Sequence, residues 1–329
     1  MSKLSLVTGA NGHLGNNLVR VLLSKGEQVR AGVRNLENTS MFEDLECERV
    51  YAEMTDAVAM RKALEGVDVL YHVAAVFKHW SKDPIADIIT PNSLGTEIVL
   101  NAALQAGVRK IIYVSSVAAV GHDGSRLDEN TWNQEARNAY YHSKIVSEQK
   151  AWEIAKKYQL DMVSVLPSAM VGPNIENLTD TMRFIDSIQK QTLPVDPNFY
   201  FNFVDVRDVA EGIYLASQRG KTGERYILAN EHSFGLPEVI ALARKLDASY
   251  RSPPKVPKLV LYGLAFLDEL KARLTGKPAE LLRSQVRLFY GVKQEYDISK
   301  AKRELGFKPR SPEDAIYDAM EFLRVRSSH

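Results

Sequence analysis

The run Leu4-Ser5-Leu6-Val7 leads without a spacer into Thr8-Gly9-Ala10-Asn11-Gly12-His13-Leu14-Gly15 and on into the helical pattern Leu14–Ser24. Three glycines at G-x-x-G-x-x-G between a strand and a helix restrict what such a chain can build. Glycine permits the tight turn and lets backbone approach a bound group with no Cβ in the way. The first N–H groups of the helix then meet an anion, a diphosphate above all. The spacing differs from the dinucleotide fingerprint G-x-G-x-x-G but keeps its logic. Gly9, Asn11, Gly12, His13, Leu14 and Gly15 are therefore the first candidate nucleotide contacts. A plain strand-to-helix turn is the competing reading of the glycines taken alone.

The pattern after this turn repeats its plan. Short β-branched runs at Gln28–Val33, Arg49–Glu53, Val67–Ala74, Lys110–Val114 and Met162–Leu166 alternate with amphipathic stretches at Asp56–Leu64, Asn92–Ala106 and Tyr140–Tyr158. Helical crossovers between strands imply a parallel sheet covered on both faces, a Rossmann-type doubly wound α/β domain. The alternation breaks after Pro167 and returns as strand and helix over Asn202–Ser217, with a further strand at Tyr226–Ala229. Helices are expected at Pro237–Leu246 and Lys258–Leu274, around the proline-rich Ser252–Pro257. The expected division is a nucleotide-binding domain over 1–167, rejoined by about 202–230, and a smaller, mainly C-terminal substrate lobe from 168–201 and 231–329. A length of 329 residues suits two lobes.

Composition excludes several function classes. A net charge of +1, with no long Lys/Arg run, gives no field to hold nucleic acid. The partner expected is a small molecule, and a homodimer is left open as an assembly. One cysteine, Cys47, offers neither a disulfide nor a metal framework, so no metal is expected and a reducing, cytoplasmic setting is the simplest reading. The chain start reads as strand rather than secretory leader. Leu259–Leu267, the longest apolar stretch, is about half of the ~20 residues a spanning helix needs. It reads as core packing, with a lid, a dimer face and a membrane-surface element as alternatives.

Arg34 directly follows the second strand, where NAD enzymes commonly carry an acid for the adenosine ribose and an Arg accommodates a 2′-phosphate instead. NADP(H) is thus the expected cofactor and NAD the less favoured one. The alternative for Arg34 is a surface residue at a strand end. Further along, Tyr140 and Lys144 stand at i and i+4, on one helix face. A nearby ammonium favours a phenolate, which makes the tyrosine an acid/base candidate. Ser116 closes the fifth strand at the edge where open α/β sheets bind ligands. Each feature alone has an ordinary explanation. Their order along the chain, glycine turn, serine, then tyrosine and lysine, is what joins them.

These motifs together resemble the extended short-chain dehydrogenases/reductases of the NAD-dependent epimerase/dehydratase superfamily. TGANGHLG matches that family's T-G-x-x-G-x-x-G, Tyr140 and Lys144 its Y-x-x-x-K, and Ser116 its active-site serine. Asn92 resembles the family's helix asparagine, and DISKAKRELGF over Asp297–Phe307 its C-terminal signature. Arg34 and Leu166-Pro167-Ser168-Ala169-Met170-Val171-Gly172-Pro173 resemble the dihydroflavonol reductase, cinnamoyl-CoA reductase and 3β-hydroxysteroid dehydrogenase branch, where sugar epimerases carry R-x-x-N. The resemblance implies cofactor contacts at Val73, Ala74 and Ala75 after His72, and at Pro167 and Met170 beside the nicotinamide. Glu53 and Met54 stand at the adenine side where the family commonly has Asp-Leu.

The function expected is hydride transfer between NADP(H) and a carbonyl or secondary alcohol of a hydrophobic ketone, aldehyde or sterol-like molecule, with Tyr140 as acid/base. Ser116 is expected to hold the reacting oxygen, and Lys144 to lower the tyrosine pKa and orient the ribose. The rivals are a nucleotide-sugar epimerase or dehydratase with tightly bound NAD and a non-catalytic dinucleotide-binding regulator. His79 and Trp80 are weaker substrate candidates. Asp205 and Asp208 read as helix-start acids. Phe184, Phe199, Tyr200, Phe201 and Phe203 read either as core or as an apolar substrate wall.

Overall fold

The computed structural model describes residues 3–38 and 40–327. The first half runs β1 (Leu4–Thr8), α1 (His13–Ser24), β2 (Gln28–Val33), β3 (Glu48–Tyr51), α2 (Ala57–Ala63), β4 (Val69–His72), α3 (Thr90–Ala106), β5 (Lys110–Val114), the short β6 (Arg126–Leu127), α4 (Ala139–Tyr158) and β7 (Met162–Pro167). The second half runs β8 (Ala169–Val171), α5 (Asp180–Gln189), β9 (Tyr200–Phe201), β10 (Phe203–Asp205), α6 (Val206–Arg219), β11 (Arg225–Leu228), β12 (Phe234–Gly235), α7 (Leu236–Leu246), α8 (Lys258–Thr275), α9 (Arg283–Phe289), β13 (Glu295–Tyr296) and α10 (Pro312–Ser327).

Seven of these strands form one sheet in the order β11-β7-β5-β4-β1-β2-β3, every pair parallel. The expected doubly wound α/β fold is what the chain adopts. Successive strand residues serve opposite faces, as a period of two requires. Val7, Tyr71 and Ile112 join the core under α1 and α6, while Leu6, Leu70 and Ile111 join the core under α2, α3 and α4. Each fully buried aliphatic contributes ~1.5–3 kcal/mol of transfer free energy, against ~1–2 kcal/mol of backbone ordering per residue. A parallel sheet of this kind is stable only with both faces covered. Winding reverses between β1 and β4, so their carboxyl ends open a crevice there.

After β7 the chain leaves the sheet. β8 pairs with β10 and β9 with β12, and α5, α7 and α10 close a separate core containing Val171, Ile185, Ile240 and Met320. β10 thus belongs to a two-stranded sheet outside the main one. The return comes through α6, which packs on α1, and through β11 at the sheet edge. Asp205 caps α6 by accepting the Arg207 N–H, and Asp208 lies in its first turn, the helix-start role expected of both. One expectation is corrected. Leu259–Leu267 is not core packing: within α8 only Leu261, Ala265 and Ala272 are buried, and Leu259 is 83% exposed. The helix lies at the periphery, with α9 as its main packing partner and the Arg283 guanidinium over the Phe266 ring, and most of its outward face is exposed among the described residues.

Candidate active site

The candidate residues gather where the central strands end. Gly9 follows β1 at φ +66°, a left-handed conformation natural to glycine. A Cβ on Gly15 would lie 2.1 Å from the Gly9 carbonyl oxygen, so the turn closes only without one. Gly12 caps α1 in an extended conformation, with no capping side chain and no acid in the first turn. The N–H groups of His13, Leu14 and Gly15 therefore have no intrahelical acceptor, and the positive end of the helix dipole stays open. Asn11 is partly exposed beside them. His13 is the first residue of α1 rather than part of the turn. Its ring is buried with Nε2 3.1 Å from the Gly172 carbonyl oxygen, which ties the turn to the segment after β8.

Thr8 couples this turn to β4. Its Oγ1 accepts the Val73 and Ala74 N–H groups, both at 3.1 Å, and lies 3.0 Å from His72 Nδ1. An oxygen that accepts twice has one proton left to give, so Thr8 donates to Nδ1 and the His72 proton sits on Nε2. These bonds end β4 at His72 rather than at the expected Ala74. Val73 and Ala74 bend past Gly9, and Ala75 is exposed. Asn92 holds the next residues, accepting the Val76 N–H at 2.7 Å and donating to the Val76 carbonyl at 3.0 Å. At the adenosine side, Arg34 is exposed and forms no ion pair or side-chain hydrogen bond with another described residue. Glu53 is half-buried and accepts from Thr55, while Met54 is buried against Gly95. Pro167 is buried at the end of β7 and Met170 half-buried in β8.

Ser116, after β5, accepts the Ala118 N–H at 3.1 Å, which leaves its hydroxyl proton free to be donated. Tyr140 and Lys144 share one face of α4, whose start is fixed by Asn138 accepting the Tyr141 N–H. Burial pushes the Tyr140 pKa up to about 12, with neighbouring Ser116 pulling it down and Asp180 pushing it further up. Burial, Ser116 and Asp180 are what shift it here. Burial lowers Lys144 itself to about 8, opposed by Glu148 one turn on. Lys144 makes no hydrogen bond or ion pair with another described residue, so its amine is free for a ligand. Burial and the Lys144 charge keep His72 neutral, down to about 3.

Residues that sequence reasoning passed over or ranked low surround this core. Phe77 meets the Tyr140 ring edge-on at 5.0 Å, and His79 lies 4.9 Å from it. Asp180 of α5 lies 3.3 Å from His79 Nε2. Trp80 is half-buried, with no ring contact to Tyr140. Beneath the site, the fully buried Glu148 carboxylate accepts from Ser115, Ser164, Trp152 and Arg225. Glu148 stands at i+4 from Lys144, a spacing that flags it in the sequence. Asp180 and Arg225 carry no such local mark. Among the expected aromatics, Phe203 is fully buried core, whereas Phe199 and Phe201 pack with Phe289 beside Tyr141.

A switch-point crevice, a Cβ-free turn under an open helix N-terminus and the Ser-Tyr-Lys set define an extended short-chain dehydrogenase/reductase. The chain belongs to the NAD dependent epimerase/dehydratase family, whose profile matches residues 5–229. It is 34% identical over 332 residues to the "Putative dihydroflavonol 4-reductase" of Synechocystis sp., covering 98% of this chain and 95% of that one. It is 33% identical to "Sterol demethylase protein B" of Methylococcus capsulatus, covering 98% of both. The crystal structure of gox2253 superposes with a TM-score of 0.85 at 35% identity, over 99% of each chain. The family and the reductase branch expected from the motifs are thereby met.

Proposed function

We propose that this protein is an NADP(H)-dependent oxidoreductase that interconverts a carbonyl and a secondary alcohol on an apolar small molecule. The observation that carries this reading is the convergence of Ser116, Tyr140 and Lys144 with the open N-terminus of α1 at the carboxyl end of the central strands. The cradle fits a dinucleotide: the turn excludes any Cβ at Gly15, and the Lys144 amine and the Arg34 guanidinium are both unpaired among the described residues. Gly9, Asn11, Gly12 and the first residues of α1 hold the diphosphate. Glu53 and Met54 line the adenine side, Val73 to Ala75 the middle, and Pro167 and Met170 the nicotinamide side. When bound, the cofactor supplies or accepts the hydride.

The chain's own groups handle the proton. Ser116 donates to the substrate oxygen and fixes its position. Tyr140, with a pKa near 12, stays protonated at neutrality and gives its proton to the oxygen as that atom becomes alkoxide-like during reduction. The reverse direction needs the phenolate and is favoured by rising pH. Lys144 holds the ribose hydroxyls, as an ammonium below about pH 8. Arg34 favours the 2′-phosphate of NADP(H) by charge-assisted hydrogen bonds. Phe77, Tyr141 and Phe289 supply an apolar wall, and the likeness to the relative named "Sterol demethylase protein B" supports an apolar substrate.

The test is a screen of NADPH oxidation across ketones, aldehydes, steroids and nucleotide sugars. Turnover of an apolar carbonyl is expected, with most of it removed by Tyr140→Phe while NADPH still binds. Full turnover by Tyr140→Phe sinks the mechanism, and turnover confined to nucleotide sugars sinks the substrate class.

A further inference from the structure

Of the seventeen large apolar side chains exposed to solvent among the described residues, seven lie on α8. Scattered exposed apolar residues need no explanation, but a contiguous patch does. Leu259, Leu264, Phe266, Leu267, Leu270 and Leu274 are between 44% and 83% exposed. At 3.6 residues per turn they occupy an arc roughly 160° wide, opposite the buried stripe of Leu261, Ala265 and Ala272. The helix is 18 residues long, about 27 Å at 1.5 Å per residue. No described helix is long and apolar enough to cross a membrane, so this arc is suited to lying on a surface.

Charge selects the surface. Lys255, Lys258, Lys271, Arg273 and Lys277 are exposed in and around this helix, and none is in an ion pair among the described residues. The acids of the helix are turned to other work. Asp268 accepts the N–H groups of Glu280 and Leu281, and Glu269 pairs with Arg283. Glu280 is the one exposed acid between residues 255 and 280. An apolar arc rimmed by unpaired cations complements an anionic bilayer. A two-fold pairing of copies would set the same cationic rim against itself.

We propose that α8 docks this protein on an anionic phospholipid membrane, with its apolar arc in the headgroup layer and its Lys/Arg rim on the lipid phosphates. The inner side of the helix carries this to the active site. Leu261 and Ala265 belong to one cluster with Tyr141, Phe199 and Phe289, with Tyr140 packed against it. Docking through α8 thus sets the aromatic wall near the layer where apolar molecules partition, a consequence that rests on the proposed function.

Sedimentation of the full chain with vesicles tests this. Binding is expected to vesicles of phosphatidylcholine with phosphatidylglycerol, and not to phosphatidylcholine alone. The double substitution Leu259→Glu/Leu267→Glu should abolish it. Lys271→Gln/Arg273→Gln/Lys277→Gln should weaken it about tenfold or more, with a reduced salt dependence. NADPH oxidation with a water-soluble aldehyde should be unchanged in both variants, which reads folding and chemistry apart from docking. No vesicle binding, or binding that both variants retain, overturns the proposal. So does a stable dimer that Leu267→Glu dissociates, which would make the partner a second copy. Vesicle binding without any NADPH oxidation would keep the docking and remove the reading of the substrate.

Discussion

The His79 imidazole bridges Tyr140 and Asp180: its ring lies 4.9 Å from the tyrosine ring, and its Nε2 lies 3.3 Å from the Asp180 carboxylate. Three separate elements meet there, the loop after β4, the start of α4 and the start of α5. Burial lowers the His79 pKa, Asp180 raises it and Arg183 lowers it, so the imidazole holds its place chiefly by packing. His79→Phe keeps the ring stack and removes the contact with Asp180. This variant should raise KM for the carbonyl substrate severalfold while the NADPH Kd stays as it was. Equal shifts in both constants would show that His79 supports the whole fold rather than the substrate side.

Arg34 offers a cleaner separation, because no described residue shares its guanidinium. Hydrogen bonds to charged groups contribute ~1.5–3 kcal/mol, roughly 10- to 100-fold in affinity. Arg34→Ala should therefore weaken NADPH by that factor and leave NADH nearly unchanged, as titration of cofactor fluorescence will read. A loss of the same size for both cofactors would remove the 2′-phosphate assignment.

Acid should destabilise this protein through its histidines. Burial lowers His72 to about 3 and both His13 and His122 to about 4, from 6.5. In the unfolded chain these rings take up protons below about pH 6.5, whereas in the folded chain they stay neutral until about pH 4 or lower. Stability is thus fully present above pH 6.5 and is lost as pH falls toward the folded pKa values, by at most about 1.4 kcal/mol per ring per unit. His122 meets the Phe289 ring edge-on at 4.8 Å, and its buried Nε2 has no hydrogen-bond partner among the described residues, so His122→Phe preserves the packing. Thermal midpoints between pH 7 and pH 4 should fall for the parent and fall less steeply for His122→Phe. Parallel slopes would refute the contribution of this ring.

The parts legible in the sequence are those set by local chemistry. β2 occupies Gln28–Val33 as expected, and α4 starts one residue before the expected Tyr140, because the Asn138 cap adjoins the apolar period. β4 is shorter than its β-branched run because Thr8, far away in sequence, takes the next two N–H groups. No helix was expected over Pro312–Ser327, although Ser311-Pro312-Glu313-Asp314 carries a helix-start signal, with Ser311 Oγ accepting the Asp314 N–H. What sequence could not show is pairing at a distance, His79 with Asp180 and Glu148 with Arg225. For α8, apolar content pointed to the core, and only the position of neighbouring elements decides which face is covered.

Glu148 and Arg225 form the support on which the site rests. The carboxylate is fully buried and receives Ser115 at 2.6 Å, Ser164 at 2.8 Å and both Nε and Nη2 of Arg225 at 2.9 and 3.1 Å. Arg225 also donates to the Glu129 and Thr131 carbonyls at 2.8 Å and stacks on Trp132. Removing one partner leaves an uncompensated buried charge, which costs about 3–5 kcal/mol, whereas an apolar replacement of both costs much less. Glu148→Leu and Arg225→Met should each lower the thermal midpoint sharply, and the double variant should lie well above the sum of their losses. Because Ser115 precedes Ser116 and Glu148 lies one turn beyond Lys144, surviving single variants should also lose kcat. Additive losses in the double variant would mean that the two charges are held independently, and the coupling argued from their geometry would fail.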